Sequence, residues 1–151
     1  QAYVEKLKAT QQPVHLMLSL EMLGYYDATP QSQQYPSPLL TRLYPHRGDF
    51  IALIGNLSTL SVMRRLGQHL KGAGAPCEWL PVPNRGQAIP ATRRSDHAAF
   101  WDAGYRALMV TDTAFLRNPH YHQASDRFDT LDLKRMTQVC QGLMVGLQSL
   151  P

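Results

Sequence analysis

The order of its apolar segments constrains the fold of this chain more than any other feature. Residues 14–20 place an apolar side chain at every second position, and residues 50–54 and 107–111 form short continuous apolar runs. Such segments are typical of β-strands that are buried on one face or on both. Because segments with a helical pattern separate them, the sequence predicts an α/β fold with a largely parallel sheet.

Helices are predicted before, between and after these strands. In the last of them the apolar face includes Val139, Cys140, Leu143 and Met144, which predicts that the Cys140 thiol is free and buried. The predicted helices are residues 2–10, a helix capped by Asn56, Ser58 or Thr59 and ended by Gly72, a short helix capped by Ser95 or Asp96 and ended by Gly104, and residues 131–150 capped by Thr130.

Two further segments complete the predicted order of elements. Residues 78–82 are a short strand, and Pro81 and Pro83 place it at the edge of the sheet because proline donates no ladder hydrogen bond. Residues 27–48 form a long loop rich in Pro, Gln and Ser, and loops of this length are usually functional or cover a site. The chain has no internal repeat, and residues 1–151 are predicted to form one domain.

Composition and charge argue against several classes of function. Lys and Arg total 15 against 11 Asp and Glu, but they are scattered and form no stripe interleaved with aromatic residues, so no binding of nucleic acid is expected. No apolar run approaches the roughly 20 residues that span a bilayer. Cys77 and Cys140 are too few for a disulfide framework or a cysteine zinc site. The first residue is Gln1, not Met, which indicates a processed product or a piece of a longer protein.

Glu21 is the first residue with the chemistry of a site, because it stands at the end of a buried strand. A carboxylate there is desolvated on one side and lies at the sheet edge where α/β proteins bind ligands. It is either a metal ligand or acid–base group, or a solvated acid that accepts hydrogen bonds from the following turn. Taken by itself, this one residue favours the second interpretation.

His120 and His122 follow Pro119 and are separated by Tyr121. An extended backbone would direct both imidazoles to one side, where they would form a metal-binding pair. The alternative is an exposed loop in which one histidine is bonded to a nearby carbonyl group. Asp126 either orients one imidazole as a hydrogen-bond acceptor or caps the turn that follows.

Ser95, Asp96 and His97 have the residue types of a catalytic triad without its geometry. Triad side chains converge from separate segments, whereas these three are adjacent, and no Gly-x-Ser-x-Gly motif occurs. We therefore expect a helix cap here, with Asp96 accepting hydrogen bonds from backbone amides.

Three blocks of this sequence together resemble the co-catalytic zinc aminopeptidases, a family related to glutamate carboxypeptidases and glutaminyl cyclases. The blocks are SLEMLGYY at residues 19–26, GDFIALIGNL at residues 48–57 and SDHAAFWDAGYRALMVTDTAFLRNPHYHQASDRFDTLD at residues 95–132. The resemblance implies a three-layer α/β/α sandwich from which the amino-terminal half of the family fold is absent. It also implies zinc as the cofactor and a peptide as the substrate.

The resemblance assigns roles to individual residues. Glu21 matches the acidic ligand of one zinc ion and His122 the imidazole ligand of the other, while Tyr121 matches a tyrosine that binds near the substrate carbonyl. Residues 27–48 match a loop that walls the substrate pocket. Four further residues match positions that support the site without binding metal: Ser95, Asp96, His97 and Asp126.

The resemblance also implies that these residues lack most of the family's metal site. Its other ligands and its general-base glutamate have no counterpart here, and catalytic zinc sites usually have three protein ligands. We therefore predict a zinc-dependent exopeptidase of the aminopeptidase type that is inactive as this chain alone. The alternatives are a non-catalytic binding relative that kept the scaffold and a glutaminyl cyclase-like transferase.

Two expectations about partners and location accompany this resemblance. A sheet without its amino-terminal half exposes an edge strand and apolar surface, which predicts self-association through that edge. Many bacterial members of the family are exported, which favours the periplasm or the cell exterior.

Overall fold

The computed structural model describes residues 2–150 and consists of a four-stranded sheet with helices on both faces. This confirms the predicted α/β fold with a mostly parallel sheet. None of the described helices is long and apolar enough to cross a membrane. The strands are β1 (Met17–Glu21), β2 (Ile51–Asn56), β3 (Cys77–Val82) and β4 (Ala107–Thr111), and the helices are α1 (Ala2–Ala9), α2 (Pro38–Leu43), α3 (Leu60–Gly72), α4 (His97–Asp102) and α5 (Leu133–Gln148).

The order of strands across the sheet brings distant parts of the chain to one edge. The order is β1-β4-β2-β3, in which β1 runs parallel to β4 and β2 parallel to β3, whereas β2 and β4 are antiparallel. Thr111 pairs with Glu21 on one side and with Ala52 on the other. The carboxyl ends of β1 and β4 therefore meet the amino end of β2, and with it the end of the loop that precedes β2. The predicted edge position of β3 is confirmed.

Two apolar clusters cover opposite faces of the sheet, because successive side chains of a strand point to opposite faces. On one face, Leu53 of β2 and Val110 of β4 pack with Leu66 of α3 and Leu143 of α5. On the other face, Ala107 of β4 packs with α1 and α4, and the Nε1 of Trp101 donates a hydrogen bond of 2.8 Å to the Ala107 carbonyl.

Helices α3 and α5 approach each other closely at two glycines of α5. A Cβ atom on Gly142 would lie 2.7 Å from the Cα of Leu70, and one on Gly146 would lie 2.7 Å from the Cδ2 of Leu66. These distances leave no room for a side chain. The glycines therefore set the distance between the two helices of this layer.

The structure corrects several details of the last predicted helix. The α5 helix begins at Leu133 and is capped by Asp132, whose Oδ1 accepts a hydrogen bond of 2.9 Å from the Arg135 N–H, so Thr130 is not its cap. The prediction that Cys140 is buried is wrong, since this residue is exposed. The apolar stripe of α5 is wider than the surface that α3 and the sheet cover, and Met144 on the same side is 61% exposed.

The remaining corrections concern the first strand, the long loop and two helix caps. β1 begins at Met17 and not at residue 14. The loop predicted over residues 27–48 contains α2, where the Ser37 Oγ accepts a hydrogen bond of 3.3 Å from the Leu39 N–H. Thr59 and Asp96 stand at the N-caps of α3 and α4, but neither side chain makes a capping hydrogen bond.

Candidate functional site

Glu21 is held in a fixed orientation at the end of β1. Its Oε1 accepts a hydrogen bond of 2.7 Å from the Oγ of Ser95, which lies 2.5 Å from the Oγ of Ser19. Ser19 and Glu21 point to the same face of β1 because side chains alternate along a strand. Ser95, two residues before α4, therefore ties the carboxylate to the sheet.

Glu21 and Tyr121 line the same small cavity. This Glu21 cavity has a volume of about 80 Å³ and lies at the edge where β1 and β4 end. Its wall also contains Arg94 and Phe115, and its remaining lining residues carry no charge. The structure thus brings the predicted metal ligand of β1 and the predicted carbonyl-binding tyrosine to one place.

A second cavity, of about 70 Å³, adjoins the first and is apolar. Residues of the long loop line it, including Tyr35, Leu40 and Tyr44, together with Trp79 of β3. The ends of this loop are held together by a hydrogen bond of 2.9 Å from the Asp27 N–H to the Gly48 carbonyl. Both cavities are lined by Ile54, Ala91, Thr113 and Leu116, so they share a wall.

His122 lies outside the lining of the Glu21 cavity. It is exposed, its φ of 58° is left-handed, and its ring stacks on the Tyr121 ring with centroids 4.0 Å apart. The backbone is not extended here, as a pair of imidazoles on one side would require, because the N–H groups of Tyr121 and Gln123 close turns on Asn118 and His120. The His120 ring has different neighbours, since its Nδ1 lies 3.0 Å from the Ser125 Oγ.

The three residues at the start of α4 separate into different environments. Ser95 contacts Glu21, whereas the Asp96 side chain is exposed and makes none of the expected hydrogen bonds to backbone amides. His97 is buried, its Nε2 lies 2.8 Å from the Thr92 carbonyl oxygen, and its ring meets the Trp101 ring edge-on with centroids 4.4 Å apart. Burial holds the pKa of His97 below its usual range, so this histidine is a neutral core residue.

Asp126 is exposed, and its N–H closes a turn on the Gln123 carbonyl at 3.0 Å. Neither His120 nor His122 is hydrogen-bonded to it. The predicted role of Asp126 as a hydrogen-bond acceptor for an imidazole is therefore not observed. The Ser125 hydroxyl lies beside the His120 imidazole instead.

Asp112 is a buried site residue that the sequence interpretation missed. Its two carboxylate oxygens accept hydrogen bonds of 2.8 Å from the Tyr25 N–H and 2.9 Å from the Ala114 N–H. Burial raises the pKa of Asp112 to about 6, and the two hydrogen bonds oppose that rise. Asp112 thus joins the segment after β1 to the segment after β4. The sequence carried a signal for this role, because Asp112 lies directly after an apolar strand, much as Glu21 lies at the end of β1.

Arg117 is the second buried polar residue that the sequence interpretation missed. Its Nη1 donates a hydrogen bond of 2.7 Å to the Phe50 carbonyl, and its Nε donates one of 2.9 Å to the Oε1 of Gln33. Its guanidinium also lies 4.5 Å from the centroid of the Phe50 ring. Burial lowers the pKa of Arg117 to about 10, which leaves it cationic at neutral pH. It fixes the long loop to the start of β2, and no local pattern in the sequence indicates this role.

Three residues just after β1 and β4 have a strained backbone. Met22, Thr113 and Ala114 have φ values of 53°, 73° and 46°, a left-handed conformation that residues with a Cβ rarely adopt. Met22 follows Glu21 directly, and its carbonyl accepts a hydrogen bond of 2.6 Å from the Asp112 N–H. Strained residues of this kind persist where the surrounding structure holds them, typically at functional sites.

The donors that these residues offer do not add up to a zinc site. A carboxylate and an imidazole are the ligand types that zinc takes, but catalytic zinc sites usually have three protein ligands. Within residues 2–150, no three His, Cys, Asp or Glu side chains come together. The described part of the chain therefore does not fit a zinc ion by itself.

Comparison with known proteins identifies relatives over most of the chain. A sequence model described as "Peptidase family M28" matches residues 1–145. The "Uncharacterized protein YfbL" of Escherichia coli (strain K12) is 42% identical over 139 residues, which are 91% of this chain and 42% of that protein. The chain therefore spans about two-fifths of the length of this curated relative.

Two solved structures of LapA from Legionella pneumophila, one described as the LapA aminopeptidase, have the same fold. The first has a TM-score of 0.58 at 18% identity and covers 98% of this chain and 35% of LapA. The second has a TM-score of 0.56 at 17% identity and covers 98% of this chain and 36% of LapA. The resemblance found in the sequence is confirmed by these matches. Because the family model covers nearly all of its residues, this chain belongs to peptidase family M28.

Proposed function

We propose that this chain forms part of the substrate-binding site of a zinc-dependent exopeptidase of the aminopeptidase type. The observation that carries the proposal is that Glu21 and Tyr121 line one cavity at the edge where two parallel strands end. Membership of a peptidase family supports this reading of the cavity. An adjoining apolar cavity offers space for a side chain of the substrate.

In this proposal the residues of the Glu21 cavity have separate roles. Glu21 is one metal ligand, and Ser95 orients it through the 2.7 Å hydrogen bond. Tyr121 donates a hydrogen bond to the substrate carbonyl oxygen, on which negative charge develops as the peptide bond is attacked. His122 is a ligand of a second metal ion. The other ligands and the general base come from polypeptide outside these 151 residues.

Zinc titration by calorimetry tests whether this chain supplies only part of the metal site. We expect the chain to bind zinc with a dissociation constant no lower than about millimolar. The Glu21→Ala and His122→Ala variants should leave this constant unchanged. His15→Ala, which removes an exposed imidazole elsewhere, is the control. Sub-micromolar binding that both site variants abolish would mean that the chain completes a site by itself or with a second copy.

Hydrolysis is tested with a longer protein that contains these residues and with amino-terminal peptide substrates. We expect Glu21→Ala to lower kcat/KM by at least about 100-fold, because a metal ligand is lost, and Tyr121→Phe to lower kcat by about 10-fold with little change in KM. Full activity of Glu21→Ala would contradict the proposed role of the cavity.

The competing candidate is a non-catalytic relative that kept the scaffold. The observation that favours it is that no three metal donors meet within residues 2–150. It predicts that a longer protein with an intact fold shows neither tight zinc binding nor hydrolysis. The glutaminyl cyclase-like alternative and the location outside the cytoplasm stay predictions from the sequence.

A further inference from the structure

One cation lies in the wall of the Glu21 cavity without an ionic partner. Arg94 and Glu21 are the charged residues among those that line it. The one ion pair within residues 2–150 joins Arg93 to Asp102, so Arg94 and Glu21 do not pair with each other. The guanidinium of Arg94 is therefore the positive group of this cavity.

Two contacts hold Arg94 in place. The Cζ of Arg94 lies 4.5 Å from the centroid of the Phe115 ring, which is a cation–π contact. The next residue, Ser95, is bonded to Glu21 and so fixes the backbone beside Arg94 to β1. Stacking on a ring leaves the N–H groups of a guanidinium free to donate in its own plane. No side chain or carbonyl within residues 2–150 accepts a hydrogen bond from Arg94.

We propose that Arg94 selects substrates that bring a carboxylate to the Glu21 cavity. This inference rests on the proposed function, because that function places the substrate there. A guanidinium binds a carboxylate through two parallel N–H···O bonds, and the contact with Phe115 restricts the side chain before the ligand arrives. The carboxylate belongs either to the side chain of an amino-terminal Asp or Glu or to the carboxyl terminus of a dipeptide.

Binding of two matched pairs of peptides to this chain tests the proposal without requiring hydrolysis. The first pair is Glu-Ala amide and Gln-Ala amide, and the second is Ala-Ala and Ala-Ala amide. All four have a free amino terminus, so each pair differs only in one carboxylate. Dissociation constants are measured by NMR titration at low salt, because screening weakens contacts between exposed charges.

We expect the acid of one pair to bind about five-fold more tightly than its amide, the upper size of effect that an ion pair at an exposed arginine produces. Arg94→Gln should bring this ratio close to one. Arg64→Gln, which removes the same charge from an exposed position on α3, should leave the ratio unchanged. Phe115→Leu should reduce the ratio less than Arg94→Gln does, because it removes only the ring that orients the guanidinium.

The pattern of discrimination between acid and amide identifies which carboxylate Arg94 binds. Discrimination in the first pair assigns the carboxylate to the side chain, and discrimination in the second assigns it to the terminus. A ratio near one in both pairs overturns the role of Arg94, as does a ratio that survives in Arg94→Gln. If discrimination is present but a longer protein hydrolyses none of the peptides, the proposed function fails while the role of Arg94 stands.

Discussion

The layer of α3 and α5 and the edge around Glu21 are built from different kinds of contact. The helical layer consists of apolar side chains repeated with the helical period and of two glycines that let the helices touch. The edge consists of single polar contacts between segments far apart in sequence, with Asp112 and Arg117 buried among strained backbone. Packing therefore stabilises one region, whereas a few hydrogen bonds hold the shape of the other.

The largest loss of stability is expected from Arg117→Met, at the edge around Glu21. This change leaves the Phe50 carbonyl without its donor and takes from the Gln33 Oε1 one of its two donors, the other being the Thr113 hydroxyl. It also removes the buried positive charge that attracts the Asp112 carboxylate. We expect the free energy of unfolding to fall by about 3 kcal/mol, measured by urea denaturation. Arg106→Met, at an exposed arginine, should cost less than about 0.5 kcal/mol. Equal effects of the two variants would show that the edge does not depend on Arg117.

The helical layer is tested by Gly142→Ala. The new Cβ would lie 2.7 Å from the Leu70 Cα, and a backbone atom cannot move aside as a flexible side chain can. We expect a loss of about 2 kcal/mol, seen as a lower midpoint in urea. The control is Gly72→Ala in α3, which meets nothing within 4 Å and should be neutral or slightly stabilising. A neutral Gly142→Ala would show that the two helices can separate without cost.

Asp112 makes the edge sensitive to pH in a way that the helical layer is not. Its pKa is raised from 3.8 to about 6, so the folded state holds this proton more tightly than the unfolded chain does. The contribution of Asp112 to stability is therefore complete below about pH 4 and is lost as the pH rises through 6. Its size is on the order of 2–3 kcal/mol.

This pH effect is measured as the difference in unfolding free energy between the wild type and Asp112→Asn. The difference should shrink between about pH 4 and pH 7, because only the wild type loses stability there. The acid sensitivity of the other carboxylates cancels in the comparison. Parallel curves for the two proteins over this range would show that Asp112 titrates alike in both states.

The smallest effect on the fold is expected at exposed apolar side chains of β1 and α5, whose replacement should change self-association. Leu20 of the edge strand β1 is 56% exposed and Met144 of α5 is 61% exposed, which keeps self-association a prediction for this chain. We expect sedimentation at micromolar concentration to show dimers or larger species, and Leu20→Lys with Met144→Lys to shift them to monomers. A monomeric wild type would contradict the prediction.

The regular parts of the fold were accessible from the sequence because they repeat. A continuous apolar run located β4 without error, while alternation placed β1 and the helical period placed α5 to within a few residues. The same periods failed at Cys140, because a stripe of apolar residues does not reveal how much of it another element covers. They also failed at α2, which is short and lies among prolines.

The site was predictable only in part. Glu21 was predicted from its place at the end of a strand and from resemblance, and Tyr121 was predicted from resemblance alone. The two residues line one cavity. Arg117 could not be found, because its partners Gln33 and Phe50 are 84 and 67 residues away in sequence. The left-handed turn at His122 was missed as well, since no glycine or asparagine marks it.

The pairing of β1 with β4 has a consequence for how the molecule folds. β2, α3 and β3 follow one another directly and can associate with short loops, whereas the contact of Ser95 with Glu21 closes a loop of 74 residues. Closing such a loop costs chain entropy before any contact repays it, and non-local pairing slows folding. Hydrogen exchange should therefore find the amides of β1 protected last during refolding, so that the edge around Glu21 is assembled on a scaffold that already exists.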